Sequence, residues 1–274
     1  MPELPEVETI ARGLRGIAGR RITGAIVYWE RTVTRPEAGE FVRRLRGQRI
    51  DGVTRRGKWL VFGFASGEHL LIHLRMSGRL TLEPAGSRPD KHARLHIVLD
   101  DGRQLCFSDP RKFGRAALVD DPSVVLGDLG PEPLGETFTA AWLAGRLAGR
   151  RARIKPLLLD QRFLAGLGNI YTDESLWRAR IHPLRHAGTL SEAEVARLRR
   201  AIRDVLTEAI AQEGTTLDDQ GYVGVNGRPG AFGGHIAVYG RAGEPCPRCQ
   251  AEIVRLVVGG RGTHVCPGCQ IQKG

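Results

Sequence analysis

Four of the five cysteines fall within the last 29 residues, in two pairs that each enclose two residues. The pairs are Cys246/Cys249 and Cys266/Cys269, and sixteen residues separate them. Each CxxC pair forms a tight turn that directs two thiolates towards one ion, and four thiolates complete the tetrahedron of a structural zinc site. A redox pair is the alternative, but four thiolates leave no open position for catalysis at the metal. The spacing therefore predicts one structural Zn2+ ion and places the catalytic groups elsewhere.

The segment between the cysteine pairs predicts a β-hairpin that turns at "GGRG" and carries Arg261 at its tip. A rigid hairpin that presents an arginine suits contact with a phosphate, and a solvated turn residue is an equally weighted alternative. Cys106 lies apart from the pairs, in an apolar strand pattern, and is interpreted as a small buried side chain.

The chain starts with "MPELPEVETI", which places two prolines and three glutamates within the first eight residues. From Pro5 onward the apolar residues follow helical spacing, and glutamates in the first turn complement the helix dipole. A helix accounts for Pro5 and the later glutamates, but it gives no reason for Pro2 and Glu3 at the tip of the chain.

Four further motifs each allow a functional and an ordinary interpretation. "GLGNIYTDE" places glycines before a predicted helix that Asn169 could cap. Such a helix start could bind a phosphate, and the ordinary alternative is a simple turn between helices. "RRGKWL" places Lys58 before a strand, where a lysine is usually only solvated, and "HLRMSG" places Met76 at a turn, although methionine more often fills a core. "SDPRKFG" places Arg111 and Phe113 on a loop. If both are exposed, they could form a wedge that enters a base stack; the alternative is that Phe113 is in the core and Arg111 is on the surface beside it.

The charge of the chain indicates a polyanionic partner. Its 41 Lys and Arg exceed its 30 Asp and Glu, which gives a formal net charge of +11. Nucleic acid is favoured over an acidic membrane surface. A generally basic proteome is the ordinary alternative; a basic tail is not visible, because the arginines are spread along the whole chain. No apolar run reaches the length of a membrane span, and the first residues lack the pattern of a signal peptide. We expect a cytoplasmic protein, associated with the nucleoid through DNA if the host is bacterial.

The pattern of elements divides the chain into three parts. An opening helix precedes short apolar runs separated by turn signals up to about residue 120, which predicts an antiparallel sandwich or barrel. A Pro/Gly-rich stretch, "DLGPEPLGETFT", leads to helical segments, the last of which begins with a capping box of Ser191 and Glu194 and closes at Gly214. A glycine-rich loop follows from there to residue 240, and the cysteine module completes the chain.

These motifs occur together and in this order in one family, and the sequence resembles the formamidopyrimidine-DNA glycosylases of the oxidised-purine type. The match extends through "MPELPEVE", "RRGKWL", "HLRMSG", "DPRKFG", "GLGNIYTDE" and "GGRGTHVCPGC", which covers nearly the whole chain. The resemblance implies an α+β fold with an N-terminal antiparallel β-sandwich and its opening helix in residues 1–130. It further implies a helical domain with a helix–two-turn–helix element in residues 131–240, a zinc ribbon in residues 241–274, and DNA in the cleft between the domains.

The resemblance also gives roles to residues that spacing leaves open. Pro2, exposed as the N-terminus when Met1 is removed, matches the amine that attacks the sugar, and Glu3 matches the acid/base beside it. Lys58 matches a lysine for phosphate contact and proton transfer, and Arg261 matches the zinc-finger arginine at the lesion phosphates. Residues that match gap filling or contact with the DNA strands are Met76, His92, Arg111, Phe113, Arg151, Lys155 and Asn169.

By resemblance, the activity is a bifunctional DNA glycosylase and abasic-site lyase of base excision repair, acting as a monomer on double-stranded DNA with oxidised purines or abasic sites. The stretch "PELPE" favours this type over endonuclease VIII relatives, which prefer oxidised pyrimidines and typically have "PEGPE". The middle of residues 214–230, which match the loop that caps the flipped base, departs from the family pattern. An oxidised-pyrimidine preference, or a catalytically silent DNA-binding protein, remains as an alternative.

Overall fold

The computed structural model describes residues 2–217 and 221–272. The chain divides into two compact units. The first unit contains the residues up to Asp128 together with Ile210–Gly233, and the second contains Leu129–Ala209 together with the residues from Gly234 onward. The division at residues 130 and 240 that the sequence predicts stays a prediction.

The first unit is a β-sandwich with an opening helix, as expected from the sequence. Its helices are Leu4–Gly13 (α1), Ala38–Leu45 (α2) and Ser123–Leu126 (α3). Its strands are Ile22–Val27 (β1), Val33–Arg35 (β2), Ile50–Arg56 (β3), Trp59–Phe64 (β4), His69–His73 (β5), Arg79–Pro84 (β6), Ala93–Leu99 (β7), Arg103–Ser108 (β8) and Arg115–Val119 (β9). Helix α2 was not predicted, because only Phe41 and Leu45 of its residues are buried and its apolar pattern is short.

Two sheets form the sandwich. The four-stranded sheet has the order β1-β7-β8-β6 and is antiparallel throughout. The five-stranded sheet has the order β2-β9-β5-β4-β3, in which β2 runs parallel to β9 and the other pairs are antiparallel. Alternate side chains of both sheets enter one apolar core, which Val7, Ile10 and Leu14 of the α1 region share. Burying these side chains ties the helix to the sandwich and so fixes the residues at its N-terminus.

The second unit is helical and ends in a small ribbon. Its helices are Ala140–Leu147 (α4), Ile154–Leu159 (α5), Asn169–Ala179 (α6) and Glu192–Ala211 (α7), and the last two residues of α7 belong to the first unit. The ribbon strands are Val254–Val258 (β10) and Arg261–Val265 (β11), an antiparallel pair. The residues of α7 from Ala201 to Ala209 include several that are buried, among them Ile202, Val205 and Leu206.

The ends of α7 test two details of the sequence interpretation. The capping box is confirmed: Ser191 N donates to Glu194 Oε2 at 2.9 Å, and Glu194 N donates to Ser191 Oγ at 3.3 Å. The helix ends at Ala211, earlier than predicted, and Gly214 adopts a left-handed φ of +83° in the following turn. Across residues 2–217 and 221–272, no helix has both the length and the apolar character needed to cross a membrane.

Candidate active site and metal centre

The N-terminal residues are held against the first unit rather than left free. Pro2 is buried, Glu3 is 1% exposed, and α1 begins at Leu4 immediately after them. The backbone N–H of Glu3 donates to Glu6 Oε2 at 2.7 Å, which is the return half of a capping box. A chain tip is usually poorly ordered, so this bond and the buried helix give Pro2 and Glu3 a defined position.

Glu6 also reaches a second segment of the same unit. Its Oε1 accepts the backbone N–H of Thr215 at 2.7 Å, and the side chain is 1% exposed. A Cβ on Gly214 would lie 2.8 Å from Glu6 Oε1, so glycine permits this close approach as well as its positive φ. One carboxylate therefore connects the tip of the chain to the base of the loop that starts at Gly214.

Lys58 lies in the turn between β3 and β4 and is 7% exposed. The same hairpin is joined to α1, because Arg55 Nε donates to Glu8 Oε2 at 3.1 Å. Burial alone would raise the pKa of Glu8, but its bonds and proximity to Arg12 and Arg55 lower that pKa below its usual value. The helix that orders Pro2 and the turn that holds Lys58 are thus parts of one packed region.

His73 is a neutral imidazole beside this turn. Its ring contacts the Trp59 ring edge-on at 4.8 Å between centroids. Burial, followed by the positive charges of Arg75 and Lys58, lowers the pKa of His73 to about 3. Its Nδ1 accepts the backbone N–H of Arg75 at 2.9 Å. The imidazole therefore supports the left-handed backbone of Arg75, which has a φ of 58° and directly precedes Met76.

Met76, Arg111 and Phe113 are exposed on loops of the first unit. Met76 is 39% exposed and Phe113 is 44% exposed, so neither fills the core. The Arg111 guanidinium carbon lies 5.0 Å from the centre of the Phe113 ring, a cation–π contact. His92 is close in the fold, because its carbonyl accepts the N–H of Asp109 at 2.9 Å. Two large apolar side chains in water, with basic groups beside them, form a surface suited to DNA.

In the second unit, Lys155 lies inside the fold, and its predicted contact with DNA stays a prediction. Its side chain is fully buried, and Nζ donates to Asp173 Oδ1 at 2.6 Å, to Thr263 Oγ1 at 2.8 Å and to the Gly262 carbonyl at 3.2 Å. Asp173 Oδ2 in turn accepts the N–H of His264 at 2.9 Å. The ammonium therefore joins α5 and α6 to the ribbon strand that starts at Arg261.

Asn169 differs from expectation, since it does not cap α6. The N-cap is Gly168, and Asn169 is the first helical residue. Its Nδ2 donates to the Gly262 carbonyl at 2.8 Å, so it binds the ribbon turn next to Arg261. Arg261 itself is exposed and follows Gly259 and Gly260, whose positive φ values make the predicted turn. Arg151 is exposed in the segment before α5.

The four ribbon cysteines form a metal site. Their Sγ atoms all lie within 4.8 Å of one another, and individual pairs are 3.9 Å (Cys246 and Cys269) and 3.3 Å (Cys249 and Cys266) apart. A tetrahedral site with Zn–S bonds of about 2.3 Å places its sulfurs about 3.8 Å apart. The donor set and spacing fit a structural Zn2+ ion. Cys106, by contrast, is 5% exposed in β8, as predicted.

The residues predicted to act in the site divide between the two units. The first unit contains Pro2, Glu3, Lys58, Met76, His92, Arg111 and Phe113, and the second contains Arg151, Lys155, Asn169, Arg261 and the four zinc ligands. Glu6, His73 and Asp173 are further residues that hold the site, beyond those predicted from the sequence. For Glu6 a signal was available, because a glutamate three residues after Glu3 is the capping-box spacing. Asp173 acts through Lys155 and His264, which only the folded chain brings near, and His73 combines a local bond to Arg75 with a contact to Trp59.

Glu174 is another residue whose role is not predicted from the sequence. It is 3% exposed, and its carboxylate accepts the N–H groups of Ala237, Val238 and Tyr239, each at 2.9 Å. Burial raises the pKa of Glu174, although the three backbone bonds oppose that shift. The carboxylate holds the segment "VYGR" that leads into the zinc ribbon.

Comparison with known proteins agrees with this arrangement. Three family models match: the formamidopyrimidine-DNA glycosylase N-terminal domain at residues 1–116, the formamidopyrimidine-DNA glycosylase H2TH domain at residues 129–220, and the zinc finger found in FPG and IleRS at residues 243–271. A formamidopyrimidine-DNA glycosylase of Roseiflexus sp. (strain RS-1) is 49% identical over 278 residues, covering 98% of this chain and 100% of the relative.

Solved structures of a Lactococcus lactis relative, FPG, resemble the whole chain. A single-residue mutant of that protein, in complex with a Fapy-dG containing DNA, has a TM-score of 0.93 and 37% identity, covering 99% of this chain and 100% of the other. The complex of Lactococcus lactis Fpg with an abasic site containing DNA has a TM-score of 0.91 and 37% identity, covering 98% and 100%.

The β-sandwich, the helical unit and the zinc ribbon, together with these matches, define a DNA glycosylase of base excision repair that contains zinc. The chain belongs to the formamidopyrimidine-DNA glycosylase family, whose members also act as abasic-site lyases.

Proposed function

We propose that this glycosylase excises oxidised purines, 8-oxoguanine and formamidopyrimidines, from double-stranded DNA and then cleaves the strand at the resulting abasic site. The observation that carries the proposal is the buried, bonded chain tip: Pro2 and Glu3 are fixed by α1 and by the Glu3 N–H bond to Glu6. A DNA-binding protein without catalysis has no use for an ordered proline and glutamate there. The Lactococcus lactis complexes with Fapy-dG and abasic-site DNA support the choice of substrates.

The nucleophile is the secondary amine of Pro2, once removal of Met1 converts it from an amide. An α-amino group titrates near 8, about two pH units below a lysine amine, so more of it is unprotonated at neutral pH. Attack on the anomeric carbon forms a C–N bond and breaks the glycosidic bond, and the base leaves with the electron pair of that bond. The nitrogen then gives up its proton, and its lone pair breaks the bond between the anomeric carbon and the ring oxygen, which takes up a proton. The product is an iminium that joins Pro2 to the opened sugar.

Strand cleavage follows from the same intermediate. The iminium acidifies the hydrogen on the neighbouring sugar carbon, and loss of that proton expels the 3′ phosphate; a second elimination expels the 5′ phosphate. Glu3 is the acid/base next to the amine, Lys58 contacts a phosphate and transfers protons, and Arg261 stabilises the charge of the lesion phosphates during the second elimination.

The remaining site residues bind and open the duplex. The damaged nucleotide must leave the stack, at a cost of a few kcal/mol, before its anomeric carbon is accessible. Met76 and Phe113 fill the gap and Arg111 enters beside them, which offsets part of that cost. His92, Arg151 and Asn169 contact the strands, and Lys155 acts through the ribbon that it holds. The enzyme acts as a monomer, since one chain carries every group named here.

Two segments of the chain bear on the type of lesion. "PELPE" favours purines, and residues 214–230 form the segment that caps the flipped base. Part of that segment, residues 218–220, lies outside the described residues. The Glu6 carboxylate accepts the N–H groups of both Glu3 and Thr215, so it fixes the start of this segment relative to the first residues of the chain.

Borohydride trapping tests the proposal. The protein with Met1 removed is incubated with duplexes that contain 8-oxoguanine opposite cytosine, an oxidised pyrimidine or an undamaged guanine. We expect a covalent, reduced adduct and a cut strand with 8-oxoguanine, and much less with the other two. An otherwise identical protein with a short N-terminal extension, in which the Pro2 nitrogen is an amide, is the control and forms no adduct. Equal trapping by the extended protein, or by Pro2→Gly, would remove Pro2 as the nucleophile, and preferential trapping of the pyrimidine would reverse the lesion assignment.

A further inference from the structure

Two loops of the first unit carry the exposed side chains that fill the gap in the proposed function. Residues 74–78 carry Met76, and residues 109–114 carry Arg111 and Phe113. Within them lies one carboxylate with no exposure to solvent, that of Asp109. Its Oδ1 accepts the Ser77 hydroxyl at 2.5 Å, so it bonds directly to the other loop across 32 positions of sequence.

Asp109 also organises its own loop. Its Oδ1 accepts the N–H of Arg111 at 3.2 Å, and its Oδ2 accepts the N–H of Gly114 at 2.7 Å. The Asp109 carbonyl accepts the Lys112 N–H at 3.2 Å and Arg94 Nε at 2.9 Å. These bonds span the loop from its first residue to its last, so Arg111 and Phe113 are carried on a closed turn.

The loop of Met76 is closed in a similar way. The N–H of Gly78 donates to the Leu74 carbonyl at 3.0 Å, and the N–H of Arg75 donates to His73 Nδ1 at 2.9 Å. Each loop is thus closed by its own hydrogen bonds, and the bond from the Ser77 hydroxyl to the Asp109 carboxylate joins one loop to the other.

Both loops also rest on the same aromatic ring. A Cβ on Gly78 would lie 2.9 Å from Phe107 Cε2, and a Cβ on Gly114 would lie 2.3 Å from Phe107 Cζ. Phe107 is 1% exposed, so the ring cannot move aside without disturbing the core. The two glycines let both backbones close over one buried side chain, and this contact is independent of the Asp109 bonds.

We propose that Asp109 is a positioning residue that latches the two loops together, so that Met76 and Phe113 enter the duplex as one preformed wedge. This inference rests on the proposed function, in which those side chains fill the gap left by the flipped nucleotide. A hydroxyl that donates to a carboxylate forms a strong, directional bond. Because the latch orders both loops before DNA binds, the ordering cost is not repeated at the moment of insertion.

The test compares a substrate that needs the wedge with one that does not. An 8-oxoguanine duplex must lose a nucleotide from its stack, whereas an abasic site in a single strand leaves no gap to fill. Ser77→Ala removes the hydroxyl and leaves the other Asp109 bonds in place. Ser123→Ala is the matched control, because its hydroxyl donates to Asp121 at the same 2.5 Å but joins no loops. Ser77→Thr restores a hydroxyl.

We expect Ser77→Ala to lower the single-turnover rate of excision from the duplex about tenfold, the loss of roughly one charge-assisted hydrogen bond. Its rate of cleavage at the single-stranded abasic site stays within about twofold of the parent rate. In activation free energy, a twofold change is less than half of a tenfold change. Ser123→Ala changes neither rate, and Ser77→Thr recovers most of the duplex activity.

Three results would overturn the latch: unchanged duplex excision by Ser77→Ala, equal losses on both substrates, or an equal loss in Ser123→Ala. Each of these requires an active parent protein, so the proposed function would stand. A parent protein that cleaves neither substrate would instead contradict the proposed function, and the latch with it.

Discussion

Replacing Glu6 by glutamine should weaken both the fold and the chemistry, because Glu6 connects the chain tip to the loop base. The glutamate accepts two backbone N–H groups, from Glu3 and Thr215, each at 2.7 Å and in a site that is 1% exposed. Glutamine has the same size but only one acceptor oxygen. Whichever way the amide turns, its NH2 group faces one of the two backbone donors.

The magnitude follows from those two contacts. A hydrogen bond to a charged group contributes about 1.5–3 kcal/mol, and a buried donor left without an acceptor costs about 1–3 kcal/mol. We therefore expect Glu6→Gln to lower the free energy of unfolding by about 2–4 kcal/mol. Where the chain tip moves to relieve the clash, the rate falls as well, since a displacement of about 1 Å at a reacting group costs roughly a hundredfold.

Two measurements check this prediction: urea unfolding, and the single-turnover rate of cleavage at an abasic site, which needs the Pro2 amine but no capped base. Glu8→Gln is the matched control on the same helix. Its carboxylate contacts Arg12 and Arg55, is 18% exposed, and should contribute about 1 kcal/mol or less. A Glu6→Gln protein with the unfolding midpoint and cleavage rate of the parent would refute the assigned role of Glu6.

Three further predictions concern other parts of the molecule. The pKa of His73 is about 3 in the folded protein and about 6.5 in the unfolded chain, so its contribution to stability is complete above pH 6.5 and is lost as the pH falls. Between about pH 6.5 and 5 the free energy of unfolding in urea should fall by up to about 2 kcal/mol more in the parent than in His73→Gln. Parallel pH profiles of the two proteins would contradict this. Asp173→Asn leaves the buried Lys155 ammonium without its ion partner and should cost about 3–5 kcal/mol, whereas the double variant with Lys155→Met should unfold at a higher urea concentration than Asp173→Asn alone; the reverse order would disprove the pairing. Removal of zinc should abolish DNA binding in a fluorescence anisotropy titration, because four thiolates without their ion cannot hold the ribbon, and unchanged affinity after verified zinc loss would count against a role of the ribbon in docking.

Much of the fold follows from local patterns that the sequence displays openly. Three of these patterns depend only on residues a few positions apart in the chain: the apolar spacing of α1, the alternation along the strands, and the capping box of Ser191 and Glu194. The cysteine spacing predicts the metal site for the same reason, since each CxxC pair is a local turn. Helix α2 escaped notice because only two of its residues are buried, which is too few to form a clear period.

The details of the candidate site depend on contacts between distant segments, and a single sequence does not display them. The sequence does not show that the Lys155 ammonium bonds to Asp173 and to ribbon residues more than a hundred positions away. Asn169 stands at the start of a helix in the position typical of a cap, yet its amide binds the Gly262 carbonyl. In both cases the polar side chain also supports the part of the fold that presents Arg261.

The mechanism depends on the claim that the Pro2 amine forms the covalent intermediate, and the identity of the trapped residue decides it. The reduced adduct with an 8-oxoguanine duplex is digested, and the modified peptide is sequenced by mass spectrometry. We expect the sugar fragment to be attached to the nitrogen of Pro2, in a peptide that starts "PELPEVETIAR". Attachment to Lys58 or to any other lysine, with Pro2 unmodified, would contradict the claim.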